Sequence, residues 1–115
     1  MVFLPCTDIE ETVRFYRDII HLPVYQKQGE NLYIFDTGYG YWGFCQYPDK
    51  RPPLSGEHGV CLSLNLKDKE AVLAMFETLK DSCTVLHEPE WHPPVFSFFI
   101  SDPDGYKVEF QKILL

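Results

Sequence analysis

An α+β domain assembled twice from the order strand, helix, strand, strand, strand is the fold class the sequence predicts, and three observations predict it. Two capped amphipathic helices begin at Asp8 and Asp68, 60 residues apart, each after a short extended run. Three strand-like segments follow each helix. The last of the three is entered through Gly40-Tyr41 in one half and Gly105-Tyr106 in the other, an offset of 65. Duplication on this scale constrains a fold more tightly than any single segment. Residues 1–115 are therefore expected to be a single domain of two modules, about 1–50 and 57–115.

The elements follow in order. Val2 to Cys6 is an extended run closed by Thr7-Asp8, where Thr7 with Glu10, or Asp8 with Glu11, has the spacing of a capping box. Ile9, Val13, Tyr16 and Ile20 then form one apolar stripe, and Pro23 marks where that helix has already stopped. Val24 to Lys27, Leu32 to Thr37 and Tyr41 to Tyr47 read as strands, and Pro48 to Gly56 is a proline-rich loop at the midpoint. In the second half Val60, Leu62, Leu64 and Leu66 alternate with Cys61, Ser63 and Asn65. Asp68 caps a helix with the stripe Val72, Met75, Phe76 and Leu79. Thr84 to Glu88 is a strand, Glu90 to Pro94 a loop around Trp91, and Val95 to Ser101 a strand that enters the turn Asp102-Pro103-Asp104-Gly105. In that turn Pro103 presets φ and Gly105 accepts a positive φ. Beyond it Tyr106, Val108 and Phe110 share one face, and Lys107, Glu109 and Gln111 the other.

Composition narrows the function classes. A chain that is 45% hydrophobic and 16% aromatic can build a core, which argues against disorder. The net charge of -7 makes nucleic acid and anionic membranes unfavourable partners. The apolar runs are shorter than a membrane span and the first residues lack a signal-peptide pattern, so a cytoplasmic protein is expected. Cys6, Cys45, Cys61 and Cys83 show no C-x-x-C spacing and suggest no zinc knuckle.

Three stretches together resemble the vicinal oxygen chelate superfamily, which includes glyoxalase I, bleomycin-resistance proteins, fosfomycin-resistance enzymes and extradiol dioxygenases. They are the duplicated order, the helix Thr7-Asp8-Ile9-Glu10-Glu11-Thr12-Val13-Arg14-Phe15-Tyr16-Arg17-Asp18, and the Asp102-Pro103-Asp104-Gly105 turn followed by Glu109. The resemblance covers essentially the whole chain. It implies two βαβββ modules curling into an incomplete concave barrel around one pocket, usually in a homodimer. It implies no particular activity, because the fold hosts lyases, transferases, dioxygenases and plain binding proteins.

Metal-dependent members place ligands on the first and last strands of each module. By that resemblance Glu109 matches the family carboxylate and Cys61, counted back from the Lys67-Asp68 helix entry, the first-strand position, while the offsets of 65 and 60 carry the other two positions to Phe44 and Met1. One carboxylate with a thiol does not supply the three converging ligands a divalent ion needs, so no metal or other cofactor is expected. If a metal binds nevertheless, Glu109 with Cys61, His58 or Gln46 would hold it. His21, His58, His87 and His92 are scattered and read as surface residues, with His92 beside Trp91 the one placed to touch a ligand.

Strand parity then predicts the pocket lining. Phe3, Trp42, Phe44 and Gln46 form an aromatic wall from the first half. Cys61, Ser63, Asn65, Lys107, Glu109 and Gln111 form a polar wall from the second. Glu109 is expected to pair with Lys107 at the pocket rim, and Cys61 has no histidine base beside it that would make it a nucleophile. Three functions are consistent with this lining: a metal-independent protein that binds a small planar molecule, a metal-dependent lyase, dioxygenase or fosfomycin-type transferase, and a non-catalytic dimerising module whose pocket is packed shut.

Overall fold

The computed structural model describes residues 1–114. Its elements are β1 (Val2–Pro5), α1 (Ile9–Val13), β2 (Val24–Gln28), β3 (Leu32–Asp36), β4 (Tyr41–Cys45), β5 (Cys61–Asn65), α2 (Lys69–Leu79), β6 (Thr84–His92), β7 (Val95–Ser101) and β8 (Lys107–Ile113). They form two four-stranded sheets of one topology, β1-β4-β3-β2 and β5-β8-β7-β6, and the strands close into no barrel. In each sheet the first and last strands of the module run parallel and the other neighbours antiparallel.

Both helices start where an acidic cap satisfies their first free N–H groups. Asp8 accepts from the amides of Glu10 and Glu11, and Asp68 from that of Ala71. Thr7 instead turns away and donates its amide and hydroxyl to Asp104 in the other module. Helix α1 widens without a break into a π-helical segment, Arg14–Ile19. The expected stripe is buried, Ile9, Val13 and Ile20 at 6% exposure and Tyr16 at 0%, with Phe15 buried beside them. Tyr16 lies between the modules. Its ring stacks on Phe44 at 4.4 Å, and its hydroxyl donates to Asp102 at 2.8 Å.

Asp102 also accepts the amides of Asp104 and Tyr106, each at 2.9 Å, so the acidic turn is wound around a buried carboxylate. Burial raises this carboxyl above its ordinary range, opposed by the Tyr16 hydroxyl and the two amides. The Tyr106 hydroxyl donates to the carbonyl of Pro5 at 2.7 Å and accepts from the amide of Leu54 at 2.9 Å. The aromatic helix residue and the acidic turn that stand out in the sequence are thus two sides of one clasp between modules.

The sequence reading needs two corrections. Segment 90–92, expected in a loop, continues β6 to His92, and Pro93-Pro94 alone makes the turn into β7. Two bulges bend this edge strand, between Val85 and His87 and between His87 and Glu90. With Pro89 lacking an N–H, they leave the edge a poor template for another strand.

The second correction concerns register. Leu4 pairs with Phe44 in the first sheet as Leu64 pairs with Phe110 in the second, so the last strands are offset by 66 (110 minus 44), not 65. The cause is a turn length. Four residues, 37–40, separate the paired Asp36 and Tyr41, whereas five, 102–106, separate the paired Ser101 and Lys107. One residue of slip moves a strand's side chains to the opposite face. Trp42 and Phe44 therefore point toward the helix, 9% and 0% exposed within the common core, and neither faces Glu109; Trp42 only edges a shallow hollow with Met1, Ser63 and Asn65. Gly43, not Phe44, is the counterpart of Glu109.

Candidate functional site

On the second sheet the predicted alternation holds. Leu62, Leu64, Phe98, Ile100, Val108 and Phe110 are buried under α2, which turns Cys61, Ser63, Asn65, Lys107, Glu109 and Gln111 to the open face. Register extends that face across two further strands. His87 pairs with Phe99, Phe99 with Glu109, and Glu109 with Ser63, which makes one continuous row. The next row is Glu90, Ser97, Gln111 and Asn65.

A cavity of about 730 Å³ lies over this face, lined by residues of β6, β7 and β8 with the Pro93-Pro94 turn at one end. Its floor is Phe99, Ser97 and Val95. One wall carries His87, Glu90 and His92, the other Lys107 and Glu109. A cleft of this size with an apolar floor and a few polar groups on its edges fits a small organic molecule. The local hydrogen bonds leave part of that polarity free. Ser63 donates to one oxygen of Glu109 at 2.7 Å, and Gln111 donates to the side chain of Asn65 at 2.8 Å. His92 and Glu90 approach to 3.3 Å but are both about two-thirds exposed, which makes the pair weak. Lys107 has no carboxylate oxygen within 4.0 Å among the described residues, so the expected pair with Glu109 is not formed.

The first sheet supplies no matching wall. Phe3 does face the open side and is 46% exposed, with its ring laid across Gly43 so closely that a Cβ there would meet it at 2.6 Å. Gln46 lies beyond the end of β4, where its side-chain oxygen accepts the amide of Ile9 at 2.9 Å and caps α1. It borders two cavities beside α1 and the 47–51 loop, away from Glu109. His58 borders another hollow with Pro53 and Leu54. His87 and His92 are exposed, as expected, and both border the cavity, His92 being the histidine expected to touch a ligand. Leu86, Glu90, Val95, Ser97 and Phe99 were not anticipated. The signal that could have found them is the alternation of Val95, Ser97 and Phe99 against Phe96, Phe98 and Ile100, carried across from Glu109 by antiparallel pairing.

The donor set does not match a divalent ion. Beside Glu109 in register stand Ser63 and Phe99, and the equivalent position of the first module is Gly43, which has no side chain to ligate. No three His, Cys, Asp or Glu side chains converge as a metal site among the described residues. Cys61 is exposed on the open face, yet partial desolvation there and then the nearby Glu109 charge raise its thiol pKa, which disfavours the thiolate form. The arrangement can bind and orient a ligand through apolar contact, one free ammonium and one half-occupied carboxylate.

Comparisons with known proteins agree with this architecture. The structure superposes with a TM-score of 0.80 on a glyoxalase/bleomycin resistance protein/dioxygenase from Alicyclobacillus acidocaldarius, at 14% identity over 97% of this chain and 88% of that one. It superposes at 0.76 on a lactoylglutathione lyase from Agrobacterium tumefaciens, at 23% identity over 96% and 90%. A third similar structure, a glyoxalase/bleomycin resistance protein/dioxygenase from Nocardioides, gives 0.78 at 15% identity over 98% and 81%. Identities this low establish the fold and leave the activity open. No curated protein matches the chain by sequence. The glyoxalase/bleomycin resistance protein/dioxygenase superfamily model, however, matches residues 1–110, and with both modules and the clasp between them inside that span, the chain belongs to this superfamily.

Proposed function

We propose that the protein binds a small organic molecule in the cavity over β6, β7 and β8 and needs no metal to do so. The observation that carries this reading is the cavity itself, about 730 Å³ with Phe99 and Val95 beneath and Lys107, Glu109, His87 and Glu90 at its edges. An open cavity of this size also speaks against a module packed shut by Phe3, Trp42 and Phe44. The test is a screen of small planar fragments against ¹⁵N-labelled protein. Binding should shift amide signals of residues 95–101 and 107–111, and Ser97→Trp, which fills the floor, should abolish the shifts. Fragments that shift only residues elsewhere, or none that bind, would refute the assignment.

Metal independence has its own measurement. Protein produced with nickel, zinc, manganese and iron in the medium should purify with well under one metal ion per chain, and stoichiometric metal would overturn that half of the proposal. For the assembly we propose a homodimer, supported by the apolar area that Met1 and Phe3 leave exposed on the first sheet's open face. Sedimentation showing a monomer throughout the micromolar range would refute it.

A further inference from the structure

We infer that the ligand of this cavity is a small carboxylate with a hydroxyl or amino donor on the adjacent carbon and an apolar body, a class the binding reading above does not itself specify and on which this inference rests. Two opposite charges share one face of β8. Lys107 and Glu109 stand two residues apart, so their backbones are roughly 7 Å from one another along the strand. Both border the cavity and both are partly shielded from water. Neither is neutralised by the protein, since the ammonium lies beyond 4.0 Å of any carboxylate oxygen among the described residues and Glu109 meets only the Ser63 hydroxyl, at 2.7 Å.

A ligand that satisfies both must bring an anion to Lys107 and a donor to the free oxygen of Glu109. The two side chains stand two residues apart on one face of β8, and a carboxylate beside a hydroxyl or amine offers both groups within the reach of such a pair. The rest of the cavity specifies the remainder. Phe99 pairs directly with Glu109, and the floor runs from it through Ser97 to Val95 and the prolines of the turn. An apolar body extending from the carboxylate end would lie along that floor, between the β6 wall and β8. A ligand carrying only positive charge would leave Lys107 opposed, and one carrying only negative charge would leave Glu109 opposed.

Titration calorimetry with 3-phenyllactate as the probe tests this, against 3-phenylpropanoate, which lacks the donor, 2-phenylethylamine, which lacks the carboxylate, and lactate, which lacks the apolar body. Each control should bind at least about tenfold more weakly than 3-phenyllactate. Lys107→Gln should weaken 3-phenyllactate by a similar factor, and Glu109→Gln should erase its advantage over 3-phenylpropanoate. Thermal midpoints close to wild type would show that both variants fold. Equal or tighter binding of 2-phenylethylamine or 3-phenylpropanoate overturns the ligand class. So does a failure of all four compounds while the planar fragments still bind in the cavity, and in that case the binding site stands. If the fragments fail as well, both readings fall.

Discussion

The two sheets share strand order, pairing directions and a helix on one side, yet their open faces differ. The second presents Phe99, Lys107 and Glu109 around a cavity, while the first presents Phe3 lying across Gly43, with Ile34 next to Gly43 in register and 1% exposed. The difference begins in one residue of turn length between the third and fourth strands of each module. A duplicated fold is held in place by its buried face, because Phe44 and Phe110 must both reach the core. The turn absorbs the extra residue. The open face carries no such constraint, and one module is free to bind while the other is covered by its own side chain.

The strongest way to break this comparison is to truncate the two residues that an offset of 65 would equate. Phe44→Ala should cost about 3–5 kcal/mol, as for a fully buried phenylalanine stacked on Tyr16. Glu109→Gln should cost under about 1 kcal/mol, since it alters one partly exposed hydrogen bond. Urea unfolding of both variants checks this, and similar losses would mean that the two side chains occupy similar surroundings.

Next in size is the clasp. Tyr16→Phe removes the only side-chain donor, among the described residues, to a buried carboxylate and should cost about 1–3 kcal/mol. It should also change the pH profile in a definite direction. The folded-state pKa of Asp102 is raised, so its contribution to stability is fully present below the ordinary carboxylate pKa and is lost as pH rises through the folded value. Because the Tyr16 hydroxyl lowers that pKa, Tyr16→Phe should raise it further and extend the decline to higher pH. Asp102→Asn should remove this component from the profile. Denaturation midpoints measured between acidic and neutral pH follow both changes.

The first sheet can be sharpened by a double-mutant cycle. Gly43→Ala alone must displace the ring of Phe3, whereas in a Phe3→Ala background the same change keeps only an ordinary contact with the Val2 carbonyl oxygen at 3.4 Å and gains strand propensity. A coupling of about 0.5–1 kcal/mol is expected, and strict additivity would show that the ring does not rest on Gly43. The smallest effect belongs to Cys61. Glu109→Gln should speed its alkylation by iodoacetamide a few-fold at pH 8, because the carboxylate is one of the groups holding the thiolate back. An unchanged rate would leave burial as the whole cause.

Much of the fold was legible because its determinants are local. Asp8 and Asp68 cap helices wherever they stand, and the Tyr106, Val108, Phe110 alternation defines β8 without reference to its neighbours. Lys107 and Glu109 were legible for the same reason, whereas Cys61, Ser63, Asn65 and Gln111, expected beside them, share the open face but do not border the cavity. The aromatic half was not legible, because its parity was carried across a turn whose length the Gly40-Tyr41 match conceals. Gly40 aligns with Gly105 in sequence, but the positive φ belongs to Gly38 and Gly105, at 88° and 87°. The β6 wall was hidden for another reason. Pro89, Pro93 and Pro94 read as loop residues, while the bulges that let the strand continue past Pro89 arise only from pairing with β7.

The hydrogen bonds of Tyr16, Thr7 and Tyr106 all cross from one half of the chain to the other. A gene cut within the 48–56 loop should therefore yield two polypeptides, each insoluble when expressed alone because it would expose its share of the common apolar core, Tyr16 and Phe44 in one half and Tyr106 in the other. Co-expressed, they should reconstitute one particle, which would make this protein a candidate two-piece complementation reporter.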